Sequence, residues 1–178
     1  EADGVDIRIW ADANRPIYHV QIDSPGDVTV RANSDLWERI DGCAWNCTMV
    51  PIDPPTQDVR LQRDGKILWY FAVGDRSAYA TDLAYYNVEQ MALEYPDPYR
   101  FNTFGKLLKR PDLKLSDGAL SGTGKSLDIR IHALTKQEPA AKGWIAAIEK
   151  QAARDIVVEK DWREHCRWWS DFWKRSWI

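Results

Sequence analysis

Hydrophobic and polar residues alternate along much of the first two-thirds of the chain, and a period of two predicts β-strands. Residues 5–10 read Val-Asp-Ile-Arg-Ile-Trp, with Val5, Ile7 and Ile9 on one face. Residues 11–16 are expected to turn, because Asn14-Arg15-Pro16 ends any regular structure. Residues 17–24 alternate again, Pro25-Gly26-Asp27 reads as a turn, and residues 28–36 read as a third strand. Tight connections between three such strands predict an antiparallel meander. Residues 41–66 are loop-like, with Gly42, Pro51, Pro54, Pro55 and a turn at Asp64-Gly65. Residues 67–73 form an apolar, aromatic run expected to be buried on both faces. A short helix is expected over residues 81–93. Further strands are expected over 103–108, 114–120 and 127–134.

The period changes after Pro139. Trp144, Ile145, Ile148 and Ala152 share one helical face, with proline near the first turn. A break near residues 155–158 precedes a second predicted helix, from Glu159 to about Arg175. Trp162, Trp169, Phe172 and Trp173 form one stripe on it, with Trp168 off the stripe. An isolated helix cannot bury that much aromatic surface against itself. It is expected to pack on the sheet, on the preceding helix, or on another body.

Composition sharpens this picture in one respect. Ten Trp, seven Tyr and four Phe in 178 residues are a heavy aromatic load. Many buried indoles together mark core-lining or interface roles, and exposed ones offer flat faces for sugar rings. With 44% apolar and 29% charged residues the chain has a real core and is not expected to be disordered. The net charge of −3 mixes both signs without a basic stripe, so nucleic acid is a poor partner. No apolar run is long enough to cross a membrane. The chain opens without Met on Glu1-Ala2-Asp3, which reads as a cut or processed end.

Candidate chemistry narrows quickly. Gly122-Thr123-Gly124-Lys125-Ser126 lacks the first glycine of a phosphate loop, since that position is Ala119. It also leads into an alternating strand rather than a helix, so a hairpin turn is the better account. Cys43, Cys47 and Cys166 are too few for a disulfide framework. Cys43 and Cys47 are close enough to bridge, or to remain as two thiols. Together with His165-Cys166 they make only a weak zinc pattern. Asn46-Cys47-Thr48 is an N-glycosylation sequon. The three histidines, His19, His132 and His165, have no Gly-x-Ser-x-Gly elbow to serve, and His19 and His132 in strands read as structural. Among 27 acids no pair stands out for glycoside hydrolysis. No catalytic residue, metal ligand or cofactor is assigned. Trp37, Trp45 and Trp69, beside loops and strand ends, are the candidate carbohydrate-stacking residues, with core or interdomain packing as the alternative.

Four segments in fixed order carry a resemblance: residues 5–24 (VDIRIWADANRPIYHVQIDS), 97–105 (DPYRFNTFG), 129–135 (IRIHALT) and 165–178 (HCRWWSDFWKRSWI). Together they resemble the N-terminal region of bacterial proteins related to the six-hairpin, (α/α)6-barrel glycoside hydrolases. There a β-supersandwich domain of unknown function is followed by a helical linker with the sequence WW-x-x-FW-x-RS. The resemblance implies a mainly β fold, the later part of an antiparallel supersandwich-type β-sandwich over residues 1–136, with a helical linker over 137–178 leading to a barrel outside this chain. It implies that the barrel's catalytic acids follow Ile178 and that the segment itself is noncatalytic. Trp162, Trp169, Phe172, Trp173 and Trp177 would pin sheet and barrel together, and Arg175 would cap or pair at the junction. The expected partners are carbohydrate and the remaining domains of the same protein, in a secreted or periplasmic setting. A free-standing carbohydrate-binding module, or a domain that oligomerises through the terminal helix, are the alternatives.

Overall fold

A computed structural model describes residues 4–33, 59–63, 65–75, 78–110, 112–154 and 156–176. Seven strands form one antiparallel sheet: β1 (Asp6–Ala11), β2 (Ile17–Ala32), β3 (Val59–Arg63), β4 (Lys66–Ala72), β5 (Asn102–Lys109), β6 (Lys114–Ser116) and β7 (Ala119–Gln137). Their order is β1-β2-β7-β5-β4-β3, with β6 paired to β7 off the main path. Helices α1 (Ala78–Tyr85) and α2 (Met91–Glu94) lie between β4 and β5, and α3 (Ala141–Ala152) and α4 (Val158–Arg175) follow β7. The fold is therefore mainly β and antiparallel, as the alternation implied, and the sheet is open.

Two strands are longer than their sequence punctuation predicted. Pro25-Gly26-Asp27 does not end a strand, because β2 runs through it and absorbs it as a shift of register between Asp23 and Val28. Gly122–Ser126 is not a hairpin turn either; it lies inside β7, directly across from that irregularity. Extra residues in one strand bend it and increase its twist. Beyond the shift, β2, β7 and β6 form an arm that folds over one face of the sheet. Its tip reaches the far edge, where Arg60 and Gln62 of β3 donate to the Gly118 carbonyl at 2.6 and 3.2 Å. Leu113 and Leu120 of this arm region close a core with Ile22, Ile67, Leu108, Leu127 and Ile129.

The opposite face carries the two long helices. Trp144 and Ile148 of α3 are fully buried against Leu68, Tyr70 and Leu107, and the Trp144 indole donates to the Leu134 carbonyl at 3.0 Å. Lys109 donates to the Ala152 carbonyl at 2.8 Å, satisfying one of the acceptors a helix leaves open at its C-terminus. One glycine is required by this packing. A Cβ on Gly105 would fall 2.2 Å from the Trp69 carbonyl oxygen and 2.7 Å from the Tyr70 Cα.

A candidate docking site at the terminal helix

Helix α4 is anchored through its first two turns. Asp161, in the first turn, is buried and meets Arg15 at 2.5 Å. Arg15, in the turn after β1, also meets Asp12 at 2.6 Å. Asp12 is held in place by accepting the Asn14 backbone N–H at 2.8 Å, a local turn that short acidic residues favour. One guanidinium thus bridges two carboxylates from separate elements. Burial alone would lower the Arg15 pKa, but the hydrogen bonds to Asp161 and Asp12 outweigh it and raise the value.

Beside this ion pair stands an aromatic stack. Trp10 lies flat on His19, with centroids 4.1 Å apart and planes 6° apart, and donates its indole N–H to the Gln21 side chain at 2.9 Å. On its outer side Trp10 meets Trp162 edge-on at 5.3 Å and His165 at 5.1 Å, both from α4. Arg8 covers the Trp162 ring at 4.9 Å.

Under the stack, the sheet supplies charge. His19 Nδ1 donates to Asp128 Oδ1 at 3.0 Å, and Arg130 Nε donates to Asp128 Oδ2 at 2.6 Å. Burial pushes the Asp128 pKa up, and the hydrogen bonds from His19 and Arg130 pull it further down, below the ordinary carboxylate value. A carboxylate there accepts only, which fixes the imidazole as donor at Nδ1. Neighbouring His132 is fully buried, and neither ring nitrogen has a partner among the described residues. Burial, then the positive charges of Lys109 and Arg130, then His19 and Arg15, lower its pKa to about 4. The Asp128–His19 pair has the form of an acid–base dyad. Its imidazole, however, is sealed from solvent under Trp10 and its Nε2 meets no nucleophile among the described residues. Within the described residues its contacts anchor the stack, joining Asp128 below to Trp10 above.

The second half of α4 leaves the sheet behind. Trp168 stacks on Phe172 at 5.4 Å, Trp169 on Trp173 at 6.1 Å, and Trp169 and Phe172 cross edge-on at 5.5 Å. Trp168, Trp169 and Trp173 remain 40%, 38% and 51% exposed. Apart from the Trp169–His165 contact, the ring contacts of these four residues among the described residues are with one another. A rigid base therefore carries a projecting aromatic ladder.

Among known protein families, residues 1–178 match the one described as a domain of unknown function, DUF5703. The chain belongs to that family. No curated protein and no solved structure matches this DUF5703 chain.

Several residues singled out in the DUF5703 sequence meet at α4, and others do not. Trp162, Trp169, Phe172 and Trp173 line one helix, and Trp168, set off the stripe by spacing, joins it through Phe172. Arg175 donates to the Asp171 carbonyl of its own helix at 3.1 Å. Trp37, Trp45, Trp177, Cys43, Cys47 and the sequon lie outside the described residues. Trp69 is half-buried on the face away from the long helices, edge-on to Phe104 at 6.2 Å, with the Lys106 ammonium 5.6 Å from its ring. Cys166 is free and exposed on α4. The described residues gather no cluster of three potential metal ligands, and no described helix is long and apolar enough to cross a membrane.

Residue-type reasoning passed over the anchor itself: Asp12, Arg15, Asp128 and Asp161. It also read His19 and His132 as satisfied strand histidines. His19 is bonded at one nitrogen only, and His132 at neither, among the described residues. One signal was present, since Asp128 and Arg130 share strand parity and must face the same side.

Proposed function

We propose that this chain is a noncatalytic β-sheet and linker segment of a glycoside hydrolase, secreted or periplasmic, that supports the sugar cleft of an adjoining helical barrel. The observation carrying this reading is the division of α4 into an anchored base and a projecting, solvent-facing aromatic half. Rigid indoles flanked by Lys174, Arg175 and Asp171 have the chemistry of a permanent interdomain contact, with an apolar centre and a charged rim. The linker sequence quoted above maps onto that projecting half.

The test compares this chain with the full-length product of its gene on a polysaccharide panel, and measures acrylamide quenching of tryptophan in both. The expected outcome is hydrolysis by the full-length protein only, with stronger indole protection there. Hydrolysis by the isolated 178 residues would sink the proposal.

A second reading is a carbohydrate-binding module. It is favoured by the row of Trp69, Phe104 and Phe71 on the face opposite α3 and α4. Millimolar to micromolar glycan binding that falls when Trp69 becomes Ala supports it. Unchanged binding when Trp37, Trp45 and Trp69 are each replaced by Ala removes it.

A further inference from the structure

Strand β1 is an edge of the described sheet. Among the described residues it meets β2 alone, in an unbroken register from Asp6–Asp23 to Ala11–Tyr18. Only Trp10 of its six residues is buried, while Ile7 and Ile9 are 57% and 70% exposed. The Asp12 N–H donates to the Ile17 carbonyl. Bonding groups alternate in an antiparallel ladder, so Asp6, Arg8 and Trp10 turn their backbone toward β2 and Ile7 and Ile9 turn theirs outward, while Val5, just before the ladder, packs against the core. Natural edge strands are usually blunted by charged side chains, proline or a bulge. β1 carries no proline and no bulge, and its two charges, Asp6 and Arg8, are opposite in sign.

The charges on this edge are also incomplete. Asp6 lies directly across from Asp23, one carboxylate beside another, and no cation among the described residues pairs with it. Arg8 lies over the Trp162 ring and has no carboxylate partner among the described residues.

We infer that two copies of this chain join through β1 as a twofold antiparallel pair with Ile7 opposite the partner's Ile7, merging two sheets into one. In that register Asp6 faces the partner's Arg8, Val5 faces the partner's Ile9, and symmetry repeats both contacts. The register is specified by charge. Outward-turned residues must face each other, so the strand slides in fixed steps, and one step either way sets Arg8 against Arg8 or Asp6 against Asp6. The complementarity is thus written into Val5-Asp6-Ile7-Arg8-Ile9, which pairs apolar with apolar and acid with base only when centred on Ile7. Five residue pairs make a small seam, so the affinity belongs in the micromolar range.

Sedimentation velocity on the full chain, over about 1 to 100 µM at low salt, is the test. Wild type is expected to show a reversible monomer–dimer equilibrium. Asp6→Arg and Arg8→Asp each set like charges across the seam and are each expected to weaken it at least tenfold. An equimolar mixture of the two variants restores association, because opposite charges face each other again. Circular dichroism of each variant shows that the sheet is retained, and rescue in the mixture separates lost charge pairing from lost folding or a disturbed Trp162 contact. Three outcomes overturn the inference: a monomer throughout the range, a dimer indifferent to Asp6→Arg, or a mixture no tighter than its components. A dimer built on the exposed indoles of α4 gives the second of these. The pairing and the docking role of α4 fail separately, since polysaccharide hydrolysis and indole quenching do not report on β1.

Discussion

Acid should loosen this fold through His132, and His132→Leu should remove the effect. The imidazole is sealed inside the sheet–helix layer, with Lys109, Arg130, His19 and Arg15 around it, and its pKa falls to about 4 from an ordinary 6.5. The other charged groups of that seam are Asp128, which bonds His19 and Arg130, and Asp12 and Asp161, which hold Arg15. Because the folded value is the lower one, the unfolded chain binds the extra proton. Stability is therefore complete above about 6.5 and is lost as the pH falls toward 4. The gap between the two pKa values, at about 1.4 kcal/mol for each pH unit, limits the loss to about 3 kcal/mol. Integrated from pH 7 to pH 5, the same two values give about 2 kcal/mol.

Urea denaturation at pH 7, 6 and 5, followed by tryptophan fluorescence and circular dichroism, measures this directly. The wild-type midpoint should fall with pH while its slope stays constant. His132→Leu places an apolar side chain of similar size beside Ile17 and Leu107. It removes a buried ring whose nitrogens are unpaired among the described residues, so at pH 7 it should cost less than about 1 kcal/mol. At pH 5 the variant should be the more stable protein. Asp128 acts in a separate window: its pKa is depressed, so its contribution is present above the ordinary carboxylate value and is lost only in stronger acid. Equal midpoints for wild type at pH 7 and 5, or an equal acid loss in His132→Leu, would refute the reasoning.

Other perturbations probe the rest of the scaffold. Trp144→Ala empties the centre of the α3 core and should destabilise the chain by about 3–5 kcal/mol, read from the same urea curves. Gly105→Ala forces a methyl group into the β4 backbone and should cost more than about 2 kcal/mol, although alanine suits a strand no worse than glycine. Arg15→Met strands the Asp12 and Asp161 carboxylates, so amide exchange in the first two turns of α4 should accelerate at least tenfold while α3 stays protected. Trp173→Ser alters a ring outside the core and should leave the stability of this chain within about 0.5 kcal/mol of wild type.

The pattern of residues made local structure legible and long-range structure obscure. β1 follows from alternation, β4 from its apolar, aromatic run, and α3 and α4 from helical spacing after Pro139, because each of these patterns is local. The two longest strands were hidden by their turn residues. Pro25-Gly26-Asp27 and Gly122-Thr123-Gly124 each punctuate a local reading, yet both lie inside the β2–β7 pair, the first within its register shift and the second paired with Val28, Thr29 and Val30 just beyond it. The connection that makes this possible runs over residues 33–118 and leaves no local period. The anchor of α4 was obscure for the same reason. Trp10 could be placed on its strand and Trp162 on its helix, but the His19–Asp128 bond joins residues 109 apart in sequence. The aromatic stripe was legible because all its members sit on one helix.

The base of α4 also explains why a helix with so much exposed indole keeps a defined direction. An apolar helix that merely rests on a sheet can slide or roll, since hydrophobic attraction has no preferred orientation. Here the guanidinium of Arg15 must reach Asp12 and Asp161 together, and Trp10 must fit between His19 below and Trp162 and His165 above. Those contacts fix both the position and the rotation of the first two turns. The helix is regular through Arg175, so fixing its base fixes the direction of the ladder from Trp168 to Trp173. A surface presented in one orientation loses little conformational freedom when it is covered, which raises affinity for a given contact area. On the proposed reading, the buried charges under α4 therefore act on docking from a distance: loosening Arg15 weakens the contact made by Trp173 without touching either side of it.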